Sequence, residues 1–579
     1  MKKKKIKIMI DGREIICFQG QTILEVAKKS GLKIPNLCCH PDLEPSGGCR
    51  LCLVSIKDRK GFFAACSTKV ENGMIITSDS PEIKKLRKIN LEMIFAQHVE
   101  SCRDCMRSYN CRLLNLAEEY NLDLGKFNDR KKDYPVMQFG PAVIFKSQKC
   151  IDCRNCVEIC QKQGVGFLEI KERGSFLETG PSSEENKDCV YCGQCIVHCP
   201  VAAFEEADSV KSVEAAIKDK KNFVVFQFAP SVRVSIGEEF GLPYGTAVTG
   251  KLIGALKSLG AKKVFDVSVG ADITTIEEAN ELLERIKKQQ KLPMFTSCCP
   301  AWVRFVELYY PQFIARLTSV RSPHIILGGI IKKYVAEKEK IDPKRIIVVS
   351  IMPCVSKKYE ITRKELKLGN LNPVDYVLTV HELACLLKNH SIDLNFVKEE
   401  NLDQILGEPS GAGVIFGASG GVTESALRSA IRKLTGRKNA RINFKKVRGL
   451  EEIKEAEVKL GDVPLRVAVV NGLGNAKSIL ENNPKHYYDY VEVMACPGGC
   501  VGGGGQPVPT SSAIRRKRAQ SLYEIDKQKR VRLADDNPII KELYEKFLNK
   551  KEVVHKICHT QYYPQQKDKI TIWKKQQNH

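Results

Sequence analysis

Short alternating runs of hydrophobic and polar residues mark the first 80 positions of the chain, a pattern typical of β-strands. The runs cover residues 6–10, 14–18, 51–56 and 74–77. One amphipathic stretch, residues 22–30, lies among them and predicts a short helix that ends at a glycine. Strands interrupted by a single helix indicate an α+β domain.

Helical periodicity follows in residues 81–98. The apolar face predicted for this helix consists of Ile83, Leu86, Ile89, Met93 and Ile94.

Beyond residue 222 the pattern changes to apolar strands that alternate with amphipathic helices. The predicted strands are residues 223–228, 263–269, 346–351 and 465–471. This alternation indicates layers of helices on a sheet, an α/β architecture. The last part of the chain, residues 512–563, is basic and predicted to be helical.

Composition narrows the classes of protein. The chain has 579 residues, 43% of them hydrophobic, and no apolar run reaches the roughly 20 residues that span a bilayer. The basic start lacks a secretory apolar core, so we expect a cytoplasmic chain. The net charge is +24, but the Lys and Arg residues are spread along the chain. We therefore expect no nucleic-acid partner, and a basic surface suits an acidic electron carrier.

The 24 cysteines change the picture most, because clustered cysteines in a large chain of this kind indicate metal binding. The first group is Cys38, Cys49, Cys52 and Cys66. A C-x2-C loop brings two thiolates onto one iron, and a distant pair completes a [2Fe–2S] site. Four buried structural cysteines are the alternative.

A second group combines one imidazole with three thiols. His98, Cys102, Cys105 and Cys111 form H-x3-C-x2-C-x5-C, which predicts a [4Fe–4S] cluster with a histidine ligand. A structural zinc site uses the same ligand types and is the alternative.

Two C-x2-C-x2-C-x3-C runs then repeat the pattern of bacterial two-cluster ferredoxins. The runs are Cys150, Cys153, Cys156, Cys160 and Cys189, Cys192, Cys195, Cys199. In such ferredoxins the fourth cysteine of each run ligates the other cluster, so Cys199 joins the first set and Cys160 the second. One binuclear and three cubane clusters predict a path for single electrons.

Three segments of the second half carry a resemblance. They are TSCCPAW (296–302), MPCVSKKYE (352–360) and EVMACPGGCVGGGGQP (492–507). Together they resemble the three signatures of the iron-only ([FeFe]) hydrogenases. The first two cluster groups resemble the accessory domains of the same family and of the large peripheral subunit of respiratory complex I. Cys39 stands where an aromatic residue is usual in that resemblance.

The resemblance implies reversible interconversion of protons, electrons and H2 at an H-cluster. This cofactor is a [4Fe–4S] cubane joined through one cysteine to a diiron subsite that carries CO, cyanide and a dithiolate amine. Its implied ligands are Cys299, Cys354, Cys496 and Cys500, with Cys500 bridging. The glycines around Cys500 let the backbone approach the cofactor. The alternative, a phosphate loop, lacks its Lys-Ser/Thr ending.

Further roles follow from the same resemblance. Cys298 is implied as the proton carrier beside the amine, and Lys357 as a cationic donor to a cyanide ligand. The other implied pocket residues are Pro230, Ser231, Met352 and Met494. Core packing alone would also explain the two methionines.

A proton path is predicted on the helix over residues 273–289. Glu278, Glu281 and Arg285 share one face of it, which would ordinarily be a solvated charged face. The resemblance implies a relay through both glutamates and the hydroxyl of Thr318. The other histidines, such as His198, His324 and His381, show no ligand spacing.

The predicted fold class is a multidomain α+β chain. It comprises a β-grasp plant-type ferredoxin domain (1–80), a small His/Cys3 cluster domain (81–125), a two-[4Fe–4S] bacterial ferredoxin domain (140–209), a two-lobed α/β hydrogenase catalytic domain (222–511) and a segment resembling a hydrogenase small subunit (512–563).

Reduced ferredoxin is the expected electron donor, because no nucleotide-binding fingerprint is visible. Partner subunits carrying NAD(P)H and flavin chemistry are the alternative, and maturation proteins are expected to supply the diiron subsite. Three rival interpretations are a complex I-like electron-transfer subunit, a non-catalytic iron–sulfur scaffold and a hydrogen sensor. The three signatures, the intact Cys298 and Lys357, and the lack of an output domain argue against them in turn.

Overall fold

The N-terminal region is a five-stranded sheet with one helix packed on it. The computed structural model describes residues 4–98, 102, 105, 107, 111–124, 131, 134–171, 178–436, 444–460, 463–482 and 487–573. The first elements are β1 (Lys5–Ile10), β2 (Arg13–Phe18), α1 (Ile23–Lys29), β3 (Leu53–Ile56), β4 (Phe63–Ala64) and β5 (Ile75–Thr77). The strand order is β2-β1-β5-β3-β4, with β1 and β5 parallel. The four predicted strands and the predicted helix are all present, within two residues at each end.

Two helices follow, α2 (Pro81–Phe95) and α3 (Arg112–Glu119). The apolar face predicted for α2 is partly wrong, because Ile89 and Met93 are 40% and 55% exposed. Arg87 is buried instead and donates to the carbonyls of Leu53 (2.8 Å) and Ser78 (2.9 Å). A guanidinium that finds two carbonyl acceptors can occupy a buried face that hydrophobic periodicity assigns elsewhere.

The ferredoxin-like region contains a four-stranded sheet and a hairpin. Its elements are β6 (Val136–Phe139), β7 (Val143–Lys146), α4 (Asn155–Lys162), β8 (Leu168–Ile170), β9 (Thr179–Pro181), α5 (Gln194–His198), β10 (Phe204–Glu206) and the connecting helix α6 (Val210–Lys218). The sheet order is β10-β7-β6-β19, where β19 (Ile570–Trp573) comes from the C-terminal end of the chain. The sequence pattern did not predict β19.

Two four-stranded sheets form the larger α/β region. Its strands are β11 (Phe223–Phe228), β12 (Lys263–Asp266), β13 (Met294–Phe295), β14 (Ile346–Met352), β15 (Tyr376–Thr379), β16 (Ile453–Leu460), β17 (Val463–Asn471) and β18 (Tyr490–Met494). The first sheet, β12-β11-β14-β15, is entirely parallel. The second, β13-β18-β17-β16, is parallel except at its β16 edge.

Helices cover both sheets, and the chain closes with three more. They are α7 (Thr249–Ser258), α8 (Val267–Lys288), α9 (Pro300–Tyr309), α10 (Pro323–Ile330), α11 (Ala336–Lys338), α12 (Ser356–Glu360), α13 (Val380–Asn389), α14 (Gly411–Val414), α15 (Gly421–Thr435), α16 (Leu473–Asn482), α17 (Ser512–Gln528), α18 (Pro538–Lys546) and α19 (Lys551–Cys558). Among the described residues, none of these helices has the length and apolar character needed to cross a membrane.

Candidate active site and cluster-binding sites

Four loops that leave the carboxyl ends of parallel strands meet between the two sheets. They follow β11, β14, β13 and β18, so that each sheet contributes two loops. Ligands of parallel α/β sheets bind at this edge, because the loops there converge without blocking one another. The loops enclose a mainly apolar cavity.

The cavity collects every residue that the sequence assigned to the H-cluster pocket. These residues are Pro230, Ser231, Cys298, Cys299, Met352, Cys354, Lys357, Met494, Cys496 and Cys500. They come from segments more than 250 residues apart, so their convergence is a property of the fold. Their individual chemical roles stay predictions.

The four thiols that the sequence predicts as ligands of the H-cluster are buried. Burial raises the pKa of Cys354 to about 11 and that of Cys500 to about 12. Cys299 precedes α9, and backbone amides of Ala301 and Trp302 hydrogen-bond its sulfur, which partly offsets the same effect of burial on its pKa. Such thiols are neutral when free, whereas coordination to iron deprotonates them outright.

Lys357 belongs to a buried network that the sequence did not reveal. Its Nζ donates to the Cys298 carbonyl (3.0 Å) and to Oε2 of Glu360 (2.8 Å). Glu360 also lies 2.5 Å from Nε2 of His324, whose Nδ1 is 3.1 Å from Oγ of Ser350. Burial opposes the charge of Lys357, yet the Glu360 carboxylate outweighs it and raises the lysine pKa. The sequence feature that indicates the pairing of Glu360 with Lys357 is their spacing, because residues three apart lie one turn along α12.

The cavity fits a large cofactor that carries negative charge. Five thiols and one lysine ammonium line walls that are otherwise mainly apolar. Oγ of Ser231 is buried and has no hydrogen-bond partner within the part of the chain that the structure describes. A buried hydroxyl without a partner costs free energy unless a bound group supplies one. These features suit the H-cluster.

The glycine run after Cys500 has a structural reason beyond approach to a cofactor. A Cβ on Gly504 would lie 2.6 Å from the Cys192 carbonyl oxygen, and a Cβ on Gly505 would lie 2.7 Å from the Thr379 side chain. The run therefore packs against neighbouring backbone, including the loop of the second ferredoxin run. Glycine is required here because any side chain would separate the two loops.

The predicted relay residues lie together beside Cys298. Glu278 is buried, and burial raises its pKa to about 8. One of its oxygens, Oε1, has no hydrogen-bond partner among the described residues. Oε2 of Glu281 accepts from Oγ1 of Thr318 (2.8 Å), and Oε1 of Glu281 accepts from Arg285. The solvated-face interpretation does not apply to Glu278, which is 1% exposed.

The first accessory group is assembled in the N-terminal region. The Cys49 amide donates to Sγ of Cys38 (3.4 Å), and the thiols of Cys52 and Cys66 are hydrogen-bonded to each other. Cys38 is buried and accepts that hydrogen bond, whereas Cys39 is only half-buried. This arrangement favours Cys38 over Cys39 as the fourth ligand.

Much of the chain between His98 and Cys111 is outside the described residues. Residue 125, the last residue of the predicted His/Cys3 cluster domain, is also outside them. Nδ1 of His98 is 2.8 Å from the Lys149 carbonyl, which orients the ring. Ligating histidines commonly make such a second contact. Lys149 also bonds the thiol of Cys105, so both predicted ligands meet at one residue. The Cys105 amide donates to the Cys102 carbonyl, and Cys111 begins α3.

Cys199, the fourth cysteine of the second ferredoxin run, lies beside the first three cysteines of the first run. The side chains of these four residues line one cavity; they are Cys150, Cys153, Cys156 and Cys199. The thiols of the other set lie close to one another. Burial raises the pKa of these thiols, and the neighbouring thiols raise it further. The members of this set are Cys160, Cys189, Cys192 and Cys195.

Family comparison agrees with this layout. Residues 222–504 match the iron only hydrogenase large subunit, C-terminal domain, and residues 512–565 match the iron hydrogenase small subunit. Residues 3–81 match a 2Fe-2S iron-sulfur cluster binding domain and residues 149–203 a 4Fe-4S dicluster domain. Residues 87–124 match the NADH-ubiquinone oxidoreductase-G iron-sulfur binding region.

The fold and the site thus define an oxidoreductase that acts on H2, and the chain belongs to the iron-only ([FeFe]) hydrogenases. It is 37% identical to the NADP-reducing hydrogenase subunit HndD of Solidesulfovibrio fructosivorans over 97% of this chain and 99% of the relative. It is 36% identical to iron hydrogenase 1 of Clostridium pasteurianum over 96% and 99%. The sequence-based prediction of the family is confirmed.

A solved structure supports the catalytic region. The apo [FeFe]-hydrogenase HydA1 of Chlamydomonas reinhardtii, in a variant form, superposes with a TM-score of 0.54 at 37% identity. The match covers 61% of this chain and 98% of that chain. The predicted multidomain architecture, with ferredoxin-like domains and a hydrogenase catalytic domain, is confirmed at this level.

Proposed function

We propose that the cavity residues perform the hydrogenase reaction in the roles that the sequence resemblance implies. Cys299, Cys354, Cys496 and Cys500 would hold the H-cluster, with Cys500 bridging to the diiron subsite. The observation that carries this proposal is the convergence of ten predicted residues in one buried cavity. When bound, the cofactor supplies the irons at which protons and electrons combine to H2.

The protein's own part is to deliver protons and hold the site dry. Cys298 would exchange protons with Glu278, and Thr318 and Glu281 would continue the path toward solvent. A carboxyl with a pKa near 8 can both take up and release a proton at neutral pH, which is what a relay requires. Lys357, held by Glu360, presents its charge to an anionic ligand of the cofactor. Pro230, Ser231, Met352 and Met494 complete the walls.

We further propose one [2Fe–2S] and three accessory [4Fe–4S] clusters that bring electrons to this cavity. The ligand sets are those grouped above, with His98 as the imidazole ligand of one cubane. We also propose that the N-terminal domain has a β-grasp fold and that the catalytic domain has two lobes, with the predicted domain boundaries. The expected cytoplasmic location and the need for maturation proteins belong to the same proposal.

Infrared spectroscopy tests the cofactor assignment directly. Chain produced without the maturation proteins should hold iron–sulfur cubanes and evolve no H2. Chain produced with them should evolve H2 and show CO and cyanide stretching bands. Active protein without those bands would refute the assignment.

A second proposal concerns the electron partner. The relative HndD is described as a subunit of an NADP-reducing hydrogenase, and the match covers 97% of this chain. An assembly with NAD(P)-linked subunits is therefore favoured beside the simpler ferredoxin donor. Purification under native conditions, followed by assays with NADPH, NADH and reduced ferredoxin, separates the two. Hydrogenase activity with ferredoxin by the isolated chain, and no co-purifying subunit, would leave ferredoxin as the donor.

A further inference from the structure

The C-terminal segment after α19 runs beside the loop that carries Thr318. The Arg321 amide donates to the Cys558 carbonyl (2.7 Å), and the Thr560 amide donates to the Ser319 carbonyl (2.8 Å). The guanidinium of Arg321 also donates to the His559 carbonyl (2.7 Å). These bonds hold the backbone on both sides of His559, so its side chain has a defined position.

The imidazole of His559 continues the hydrogen-bond network of the proposed relay. Its Nδ1 is 2.9 Å from Oγ of Ser319, and that hydroxyl is 2.9 Å from Oε2 of Glu281. Its Nε2 is 3.1 Å from Oε2 of Glu277, and Oε1 of the same carboxylate accepts from the Tyr544 hydroxyl. An unbroken chain of contacts therefore leads from Glu281 through one hydroxyl to an imidazole.

Arg285 cannot serve as the outer end of this relay, although it lies on the predicted stripe. A guanidinium does not release its proton in proteins, so Arg285 orients Glu281 without carrying a proton. An imidazole changes its charge near neutral pH and is suited to exchange protons with water. The His559 side chain is 18% exposed, whereas Glu278 at the inner end is 1% exposed.

The surroundings of His559 suit a group that carries positive charge for part of the cycle. Burial would raise the pKa of Glu277, but His559 and Tyr544 outweigh it and lower that pKa, so Glu277 is an anion beside the ring. The charged and titratable groups that face this region are Glu277, Glu281, Arg285, Arg321, Lys433, Tyr544 and His555.

We propose that His559 is the proton-exchanging group at the solvent end of the relay, and this rests on the proposed proton path. In the inward direction the imidazolium gives its Nδ1 proton to Oγ of Ser319 while the Ser319 hydroxyl proton passes to the Glu281 carboxylate. The neutral ring then regains a proton from water. The C-terminal segment thereby completes the proton path, in addition to covering the catalytic region.

The test substitutes His559→Gln, which keeps hydrogen-bonding groups near both partners but cannot take up a proton. H2 evolution with an excess of chemical reductant should fall at least about tenfold, somewhat less than the effect of one acid–base group at the reacting atoms. The pH profile should lose the limb that reports the imidazole. His559→Ala should be inactive to a similar degree and recover when imidazole is added. His390→Gln, an exposed histidine that pairs with Glu214 elsewhere, is the matched control.

The outcomes distinguish the proposal from its alternatives. Wild-type rates of H2 evolution and a wild-type pH profile in His559→Gln would overturn the proposal. It would also be overturned if His559→Ala lost activity that imidazole cannot restore and unfolded at a lower temperature, because His559 would then have only a structural role. If Glu281→Gln is inactive while His559→Gln is fully active, the relay stands and only the role of His559 fails. If Glu281→Gln is itself fully active, the proton path proposed above fails as well.

Discussion

Gly193 and Gly504 lie in direct backbone contact, such that a Cβ on Gly504 would be 2.6 Å from the Cα of Gly193. Gly193 belongs to the second ferredoxin run and Gly504 to the loop that carries Cys500. Sγ of Cys496 is 4.0 Å from the Cys192 carbonyl as a result. The loop that carries Cys192 and the loop that carries Cys500 are therefore in direct contact, and they separate the second ferredoxin run from the active-site cavity.

Adding one carbon at this contact should slow the entry of electrons. Gly504→Ala forces the two loops apart, because both opposing atoms are backbone and cannot rotate away. H2 evolution with a reductant that acts at the accessory clusters should fall severalfold. Exchange of H2 with deuterons, which needs no external electrons, should be retained. Gly329→Ala, where the nearest side-chain carbon is 3.4 Å away, is the control and should alter neither assay.

Cys298→Ser should separate proton transfer from cofactor binding. A hydroxyl has nearly the shape of the thiol but a much higher pKa, so H2 evolution should fall by at least about 100-fold while infrared bands of CO and cyanide persist. Cys354→Ser and Cys496→Ser should instead lose cofactor, since both thiols line the cavity. Retention of the bands in Cys299→Ser with their loss in Cys298→Ser would mean that the roles of the pair are reversed.

Glu281→Gln should interrupt the proposed relay. The amide can keep part of the hydrogen bonding with Thr318 and Arg285 but cannot take up a proton, so H2 evolution should fall at least about 100-fold with normal EPR spectra of the reduced clusters. Glu284→Gln is the control, because that carboxylate is exposed and pairs with Lys288. Glu277 is unsuitable as a control, since it is buried and bound by His559. Near-wild-type activity of Glu281→Gln would restore the ordinary charged-face interpretation.

Glu278 should leave a mark on stability as a function of pH. Its folded pKa of about 8 lies above the usual 4.5, so the folded state keeps a proton that the unfolded chain releases between these values. Stability from this group therefore falls as pH rises through that window, by up to about 1.4 kcal/mol per pH unit. Glu278→Gln should flatten the dependence of the urea midpoint between pH 5 and about 7.5. An unchanged slope would contradict the raised pKa, and Glu284→Gln should not flatten it.

We expect the ion pair of Arg515 with Asp42 to stabilise the packing of α17 against the N-terminal region. Its guanidinium makes two bonds to Asp42, of 2.7 and 2.8 Å, and both side chains are largely buried. Arg515→Met leaves that carboxylate without its main partner and should cost about 2–3 kcal/mol of stability, below the full cost for a completely buried pair. Thermal unfolding and limited proteolysis would report the loss. Arg516→Met changes an exposed neighbour and should be silent in both measurements.

Spacing within short segments carried most of what the sequence could predict. The period of hydrophobic residues is a local property, and the strand predicted over residues 223–228 is β11 itself. The cavity lining was predicted differently, from the resemblance of three separate segments to one family, and the fold brings those segments together.

The sequence patterns did not predict contacts between side chains of distant segments. Glu360 carried a local signal, but His324 meets it only through the packing of α10 against the β14 loop. The partners of Glu277, His559 and Tyr544, lie more than 260 residues away from it in the chain. The side chain of Arg87 can be buried because two carbonyls from other segments accept its hydrogen bonds. No periodicity encodes such pairings, since they exist only once the chain has folded.

The pairing of β19 with β6 imposes an order on biosynthesis. The partner strand leaves the ribosome more than 400 residues before β19 is translated. Until then the nascent ferredoxin-like sheet presents an open edge, which is a site for mispairing with other strands. The edge of β6 is covered only when residues 570–573 are available to pair with it. A chain shortened before residue 570 would therefore keep an unpaired sheet edge in the ferredoxin-like region.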